Sequence, residues 1–93
     1  MKPFIVLIPG MMCNHDVFSH QINTLKKVFN VIVKEFNEHR DIELGVKNLA
    51  SNLPSKFHLL GHSMGGIVAM EFVKQHSKRV LSLALLNSNP YRE

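Results

Sequence analysis

The sequence predicts an α/β fold, in which a parallel four-stranded sheet carries helices on both faces. Four short apolar runs alternate with three segments whose apolar residues recur at helical spacing. The runs are continuous rather than alternating with polar residues, which is typical of strands buried on both faces. Because the connections are short, right-handed crossovers and a single parallel sheet are favoured.

The first half of the chain is interpreted as strand, helix, strand. Residues 4–8 form an apolar run that Pro9-Gly10 ends, and this run is the first strand. A helix follows, because four apolar residues recur at i, i+4, i+7 and i+11, with Asn14 or Asp16 as its cap. These four are Phe18, Ile22, Leu25 and Phe29. Residues 31–33 are the second strand.

The second half repeats the alternation. A helix with the same apolar spacing covers residues 42–53, with Asp41 as its N-cap and Pro54 as its stop. Within this helix, Gly45 lowers the stability of the helix by roughly 1 kcal/mol relative to alanine. Residues 57–60 form the third strand, residues 65–76 the third helix, and residues 80–86 the last strand.

Composition excludes several classes of function. The net charge is +4, but the basic residues are spread along the chain without interleaved aromatic residues, so we expect a solvated surface and no nucleic-acid partner. No apolar run approaches the ~20 residues that a membrane span needs. The apolar start is too short for a signal peptide, and the single cysteine forms no internal disulfide. We therefore expect a cytoplasmic protein.

The motif that points to chemistry is Gly61-His62-Ser63-Met64-Gly65, which fits the pattern G-x-S-x-G. It lies after an apolar strand and before an apolar helix, where the nucleophile elbow of a serine hydrolase requires it. A sharp strand-to-helix turn lifts the serine hydroxyl above the sheet, and glycines flank it because side chains would collide there. The N–H of Met64, at the helix N-terminus, is a candidate donor to an oxyanion.

With this elbow, the sequence resembles the α/β-hydrolase superfamily, especially small esterase-like or lyase-like members. Pro9-Gly10-Met11-Met12 resembles the loop that supplies the second oxyanion donor, so the resemblance implies that the N–H of Met11 fills this role. The resemblance covers essentially all 93 residues and implies one partial domain, residues 1–93, with a truncated α/β-hydrolase fold. The implied function is hydrolysis of a carboxylic ester or related acyl substrate, with Ser63 as nucleophile and no cofactor.

The general base and the acid of such a site have no match in this sequence. In the family both follow the nucleophile in the chain, whereas this chain ends just after the next strand. His15 is a possible substitute base, whereas His62 is more simply a packed elbow residue. Glu93 and Asp16 are only weak candidates for the acid. No histidine pair has metal-site spacing with a third ligand, so no metal is expected.

Two functions therefore remain open. The chain is either a serine hydrolase that obtains its base and acid from elsewhere, or a non-catalytic α/β module. Such a module is a truncated hydrolase relic or a small self-associating interaction domain. In both cases the last strand is expected to be an apolar edge with almost no charge to protect it. We therefore expect a homo-oligomer that forms through this strand.

Overall fold

The computed structural model describes residues 2–9, 19–36 and 41–86. Within these ranges, strands and helices alternate as the sequence predicts. The strands are β1 (Phe4–Ile8), β2 (Asn30–Val33), β3 (Phe57–His62) and β4 (Val80–Leu86), and the helices are α1 (Ser19–Leu25), α2 (Ile42–Ala50) and α3 (Met64–His76). A short 3-10 turn, Ser77–Arg79, leads from α3 into β4.

All four strands are parallel, in the order β2-β1-β3-β4. This confirms the predicted parallel sheet. In its centre, Ile5 to Ile8 of β1 lie opposite His58 to Gly61 of β3. The register between β3 and β4 shifts once, between Phe57 and His58.

The side chains of β3 alternate between two layers. Phe57 and Leu59 are fully buried in the larger core, which lies between the sheet and the helices α2 and α3. Leu60 points to the opposite face, where α1 covers a smaller core around Ile5 and Leu7. Helices therefore cover both faces of the sheet, as predicted.

Two helices are shorter than the apolar spacing predicts. Helix α1 ends at Leu25, and Phe29 follows in a turn in which its N–H donates to the Leu25 carbonyl at 2.8 Å. Leu53 likewise lies beyond the end of α2, yet both residues pack against their cores. Among the described residues, the spacing identified side chains that are at least partly buried against the cores, because a turn that continues in the same direction keeps them on one side. The cap is as predicted: Asp41 accepts a hydrogen bond from the Leu44 N–H at 2.9 Å.

Strand β4 is the edge of the sheet within the described residues. Four of its central residues are exposed, among them Leu81 and Leu83 at 52% and 40%. This agrees with the predicted apolar edge.

None of the helices described is long and apolar enough to cross a membrane.

Candidate active site

Ser63 occupies the turn between β3 and α3, with φ 58° and ψ −124°. It is the one non-glycine residue with a positive φ in the part of the chain that the structure describes. A non-glycine residue held in such a conformation costs on the order of 1–3 kcal/mol and persists only where its surroundings impose it. The strained turn that the motif predicts is therefore present.

The two motif glycines explain how the turn stays so tight. A Cβ at Gly61 would come within 2.6 Å of the Gly65 carbonyl oxygen and 2.7 Å of the Gly66 Cα. A Cβ at Gly65 would collide with the Ile8 carbonyl oxygen at the end of β1. Since all these neighbours are backbone atoms, no side-chain movement relieves either collision. The first turn of α3 can lie against β1 and β3 only because both positions lack a side chain.

Backbone hydrogen bonds fix the serine on either side. The Ser63 N–H donates to the Leu86 carbonyl at the end of β4, at 2.9 Å. The Ser63 carbonyl accepts from the Gly66 N–H, also at 2.9 Å. The elbow is therefore tied both to the neighbouring strand and to the helix that it begins.

The electrostatic setting of the turn favours an anion. Met64 is the first residue of α3, and the N–H groups of a first helical turn have no partners within the helix. The first turn contains no acidic residue, and basic side chains lie in the last turn. Partial positive charge at this end of α3 is therefore not neutralised by a carboxylate of its own helix.

Only part of the predicted site falls within the described residues. Ser63, Met64, Gly61 and Gly65 meet at the elbow, and His62 is the half-buried last residue of β3. Met11 and His15 lie outside the described residues, as do the weak acid candidates Asp16 and Glu93. The structure thus places Ser63 directly before Met64 at the start of α3, and the roles of nucleophile, oxyanion donor, base and acid all stay predictions.

One imidazole–hydroxyl contact was not anticipated from the sequence. His58 Nδ1 lies 2.7 Å from Ser82 Oγ across the pair β3–β4, and the imidazole also meets the Phe29 ring edge-on at 5.4 Å. Five residues along β3 separate His58 from Ser63, which is roughly 16 Å of extended chain. His58 is therefore not the missing base, and its contact fastens the edge strand to the sheet beside the register shift. No sequence signal marks the pair, because it depends on the register of β4.

An apolar pocket of about 260 Å³ opens on the face of the sheet that α1 covers. Leu86 belongs to its wall, but α3, the helix that follows Ser63, lies on the other face, so we assign no substrate group to this pocket. Its lining is Leu7, His20, Gln21, Thr24, Leu25, Leu60 and Leu86. Among the described residues, no three histidine, cysteine or acidic side chains are grouped as metal ligands would be.

Comparison with known proteins places this elbow in a family. A family model described as the alpha/beta hydrolase fold matches residues 40–92, more than half of the chain. The chain belongs to this family. The pimeloyl-[acyl-carrier protein] methyl ester esterase of Legionella pneumophila is 31% identical over 91 residues, which are 92% of this chain and 38% of that protein. An uncharacterised protein of Nostoc is 36% identical over 69 residues, 67% of this chain and 28% of that protein.

The fold of this α/β-hydrolase chain also matches solved structures. Cfl2 of Burkholderia cenocepacia superimposes with a TM-score of 0.83 at 22% identity, over 95% of this chain and 34% of that one. At this level of identity the match shows the fold alone. The chain spans between about a quarter and two fifths of the length of these relatives.

Proposed function

We propose that this chain carries the nucleophile and the oxyanion donors of a serine hydrolase that acts on carboxylic esters or related acyl substrates. The strained backbone of Ser63 is the observation that supports the proposal most directly. A serine with φ 58° at the start of a helix costs stability, and the close packing at Gly61 and Gly65 holds it in this conformation. Such strain is characteristic of a nucleophile whose hydroxyl must stand clear of the sheet.

In the proposed reaction, the Ser63 hydroxyl oxygen attacks the ester carbonyl carbon while a base accepts its proton. The N–H groups of Met64 and Met11 stabilise the negative charge that develops on the carbonyl oxygen, each contributing roughly 3 kcal/mol. The alcohol leaves with a proton, and water then releases the acid from the acyl-enzyme. Because the relative in Legionella is named for a methyl ester, methyl esters of carboxylic acids are the first substrates to try.

The base and acid are the open part of this proposal. We propose that they come from His15, from a longer chain or from a second subunit. His15 follows the proposed oxyanion loop in the sequence, which would bring it to the mouth of the site. We further propose the cytoplasm as the compartment, which the single cysteine supports.

A fluorophosphonate probe tests for an activated serine. The purified chain is incubated with the probe and its intact mass is measured, alongside the variants Ser63→Ala and Ser77→Ala. Ser77 is an exposed serine outside the elbow and serves as the matched control. We expect one adduct in the wild type and in Ser77→Ala, and none in Ser63→Ala. A folded wild-type chain that stays unlabelled would show that this chain alone is not a hydrolase.

If labelling occurs, histidine variants locate the base. His15→Gln should slow labelling by at least tenfold, whereas His20→Gln, in the exposed start of α1, should not. Equal rates in both variants would mean that the base is not His15. His62→Gln then tests the remaining histidine next to the nucleophile.

The alternative function is a non-catalytic module that self-associates, and the exposed edge of β4 favours it. Leu83 is 40% exposed in the centre of β4, and this strand carries no charged residue. We propose that two copies pair along this edge. Analytical ultracentrifugation should show a concentration-dependent dimer that Leu83→Lys abolishes. Leu44→Lys on α2, where the leucine is 49% exposed, should leave the dimer intact. A wild-type chain that stays monomeric at high concentration would rule this pairing out.

A further inference from the structure

The parallel topology gathers lysines that are far apart in the sequence. All four strands begin at one edge of the sheet, named here the amino edge, and the segments immediately before them are rich in lysine. Five of the eight lysines of the chain lie there, and all five are exposed. They are Lys2 before β1, Lys26 and Lys27 before β2, Lys56 before β3 and Lys78 before β4.

These lysines form a row rather than a scatter. The Lys2 ammonium donates to the Lys26 carbonyl at 2.7 Å, so the segments before β1 and β2 are in direct contact. Strand β3 is the next neighbour of β1, and β4 is the next neighbour of β3. At about 4.8 Å between adjacent strands, the row is roughly 15 Å long. The whole row is about two Debye lengths at physiological salt, whereas neighbouring segments lie within one, so adjacent lysines act together on a partner.

No described acidic side chain interrupts the row. Glu35 and Asp41 follow β2, at the other end of that strand. Glu43 and Glu71 lie on the helical layer, where the Gln75 side chain binds the Glu43 carbonyl and the Glu71 carboxylate at 2.9 Å each. The amino edge therefore has a positive potential that the net charge of +4 alone does not reveal.

Two apolar side chains are exposed at the same edge. Val28, directly after Lys27, is 58% exposed, and Phe4, the first residue of β1, is 37% exposed. Anionic lipid surfaces attract lysines through their headgroups and accept apolar side chains at the boundary with the acyl chains. Lysine, a point charge on a flexible stem, suits a diffuse charged surface, whereas arginine is favoured where recognition is bidentate. Arg79, the one arginine in the part of the chain that the structure describes, is turned inward to backbone carbonyls.

We propose that the amino edge is a docking surface for an anionic membrane. Docking there is peripheral and involves no spanning segment. Ser63 lies at the opposite end of β3, which is six residues and therefore roughly 20 Å long. The elbow faces away from a membrane bound in this way, so docking is independent of the proposed hydrolase function and is tested without any activity measurement.

The test is co-sedimentation of the chain with vesicles of phosphatidylcholine, with and without about one third phosphatidylglycerol. The amino-edge triple variant replaces Lys27, Lys56 and Lys78 by Gln. The matched control triple replaces Lys34, Lys47 and Lys74 by Gln; these lie at the end of β2, on α2 and on α3. Both triples lower the net charge from +4 to +1, so any difference between them reports position rather than total charge. Circular dichroism confirms that each variant is folded.

We expect the wild type to bind the anionic vesicles at low salt and to be released by about 0.5 M salt. It should not bind neutral vesicles. The amino-edge triple should lose on the order of 100-fold in partitioning, and the control triple less than about tenfold. Equal losses in the two triples would overturn the proposal, because they would show attraction by net charge alone. An absence of binding to anionic vesicles would overturn it as well.

Val28→Ser separates a membrane from an acidic protein as the partner. It should weaken binding to anionic vesicles several-fold and leave retention on immobilised polyglutamate unchanged. A chain that binds polyglutamate through the amino-edge lysines, but binds anionic vesicles no better than neutral ones, would overturn the membrane proposal in favour of an acidic protein.

Discussion

Replacing Arg79 by methionine should remove one of the strongest tertiary connections in this fold. The Arg79 side chain reaches from the turn before β4 to the end of α2 and the segment after it. Its Nη2 donates to the carbonyl oxygens of Ala50, Leu53 and Pro54 at 3.0, 3.1 and 2.7 Å. Its guanidinium carbon also lies over the rings of Phe57 and Phe72, at 5.9 and 5.5 Å from their centroids. Methionine keeps the apolar stem and removes both kinds of contact.

The size of the effect follows from these contacts. Nη2 has two hydrogens for three acceptors, so the three contacts count as about two charge-assisted hydrogen bonds, together about 3 kcal/mol. The two ring contacts add about 1 kcal/mol. The Nε of the same group is buried without a hydrogen-bond partner, and the cost of its desolvation, about 1 kcal/mol, is subtracted from these contributions. We therefore expect Arg79→Met to lower the free energy of unfolding by about 3 kcal/mol.

Urea denaturation followed by circular dichroism measures this difference, and thermal melting should show a decrease on the order of 15 °C. Lys78→Met is the matched control, because Lys78 is the exposed neighbour and should change stability by less than about 0.5 kcal/mol. If the two variants have equal stability, the carbonyl contacts of Arg79 contribute nothing and the reasoning is wrong.

Two further predictions concern the elbow and the cap of α2. Gly65→Ala should destabilise the chain by about 3 kcal/mol, since its Cβ meets the backbone of Ile8 and Pro9, and urea denaturation measures the loss. A stable Gly65→Ala chain would mean that the elbow is looser than its geometry indicates. Asp41→Ala should lower the free energy of unfolding by about 1 kcal/mol, because it removes the acceptor of the Leu44 N–H. Asp41→Asn should lower it much less. Equal losses for both substitutions would argue against capping as the cause.

The amino-acid pattern determined most of the local structure of this chain. The run 80–86 became β4 with the predicted bounds, and the cap at Asp41 formed as expected. The elbow was also predictable, because a turn this tight admits only glycine on either side of the serine. Such features depend on a few consecutive residues, so the sequence contains all the information that they need.

Helix ends were less predictable, because packing extends past the last helical residue. Phe29 and Leu53 both occupy core positions after their helices have ended. An apolar period reports which side chains are buried, but it does not report whether the backbone between them keeps its helical hydrogen bonds.

Only the tertiary structure decided what distant segments do together. Lys2, Lys27, Lys56 and Lys78 are scattered in the sequence, and they meet because parallel strands all begin at one edge. The contact between His58 and Ser82 depends on a register shift, and the partners of Arg79 depend on where α2 ends. The sequence by itself determined the strand β3 and the tight turn at Ser63 of this α/β-hydrolase chain, and it predicts Ser63 as the nucleophile. The fold alone determined its basic edge, because proximity across a sheet is set by strand order and register, which no local pattern encodes.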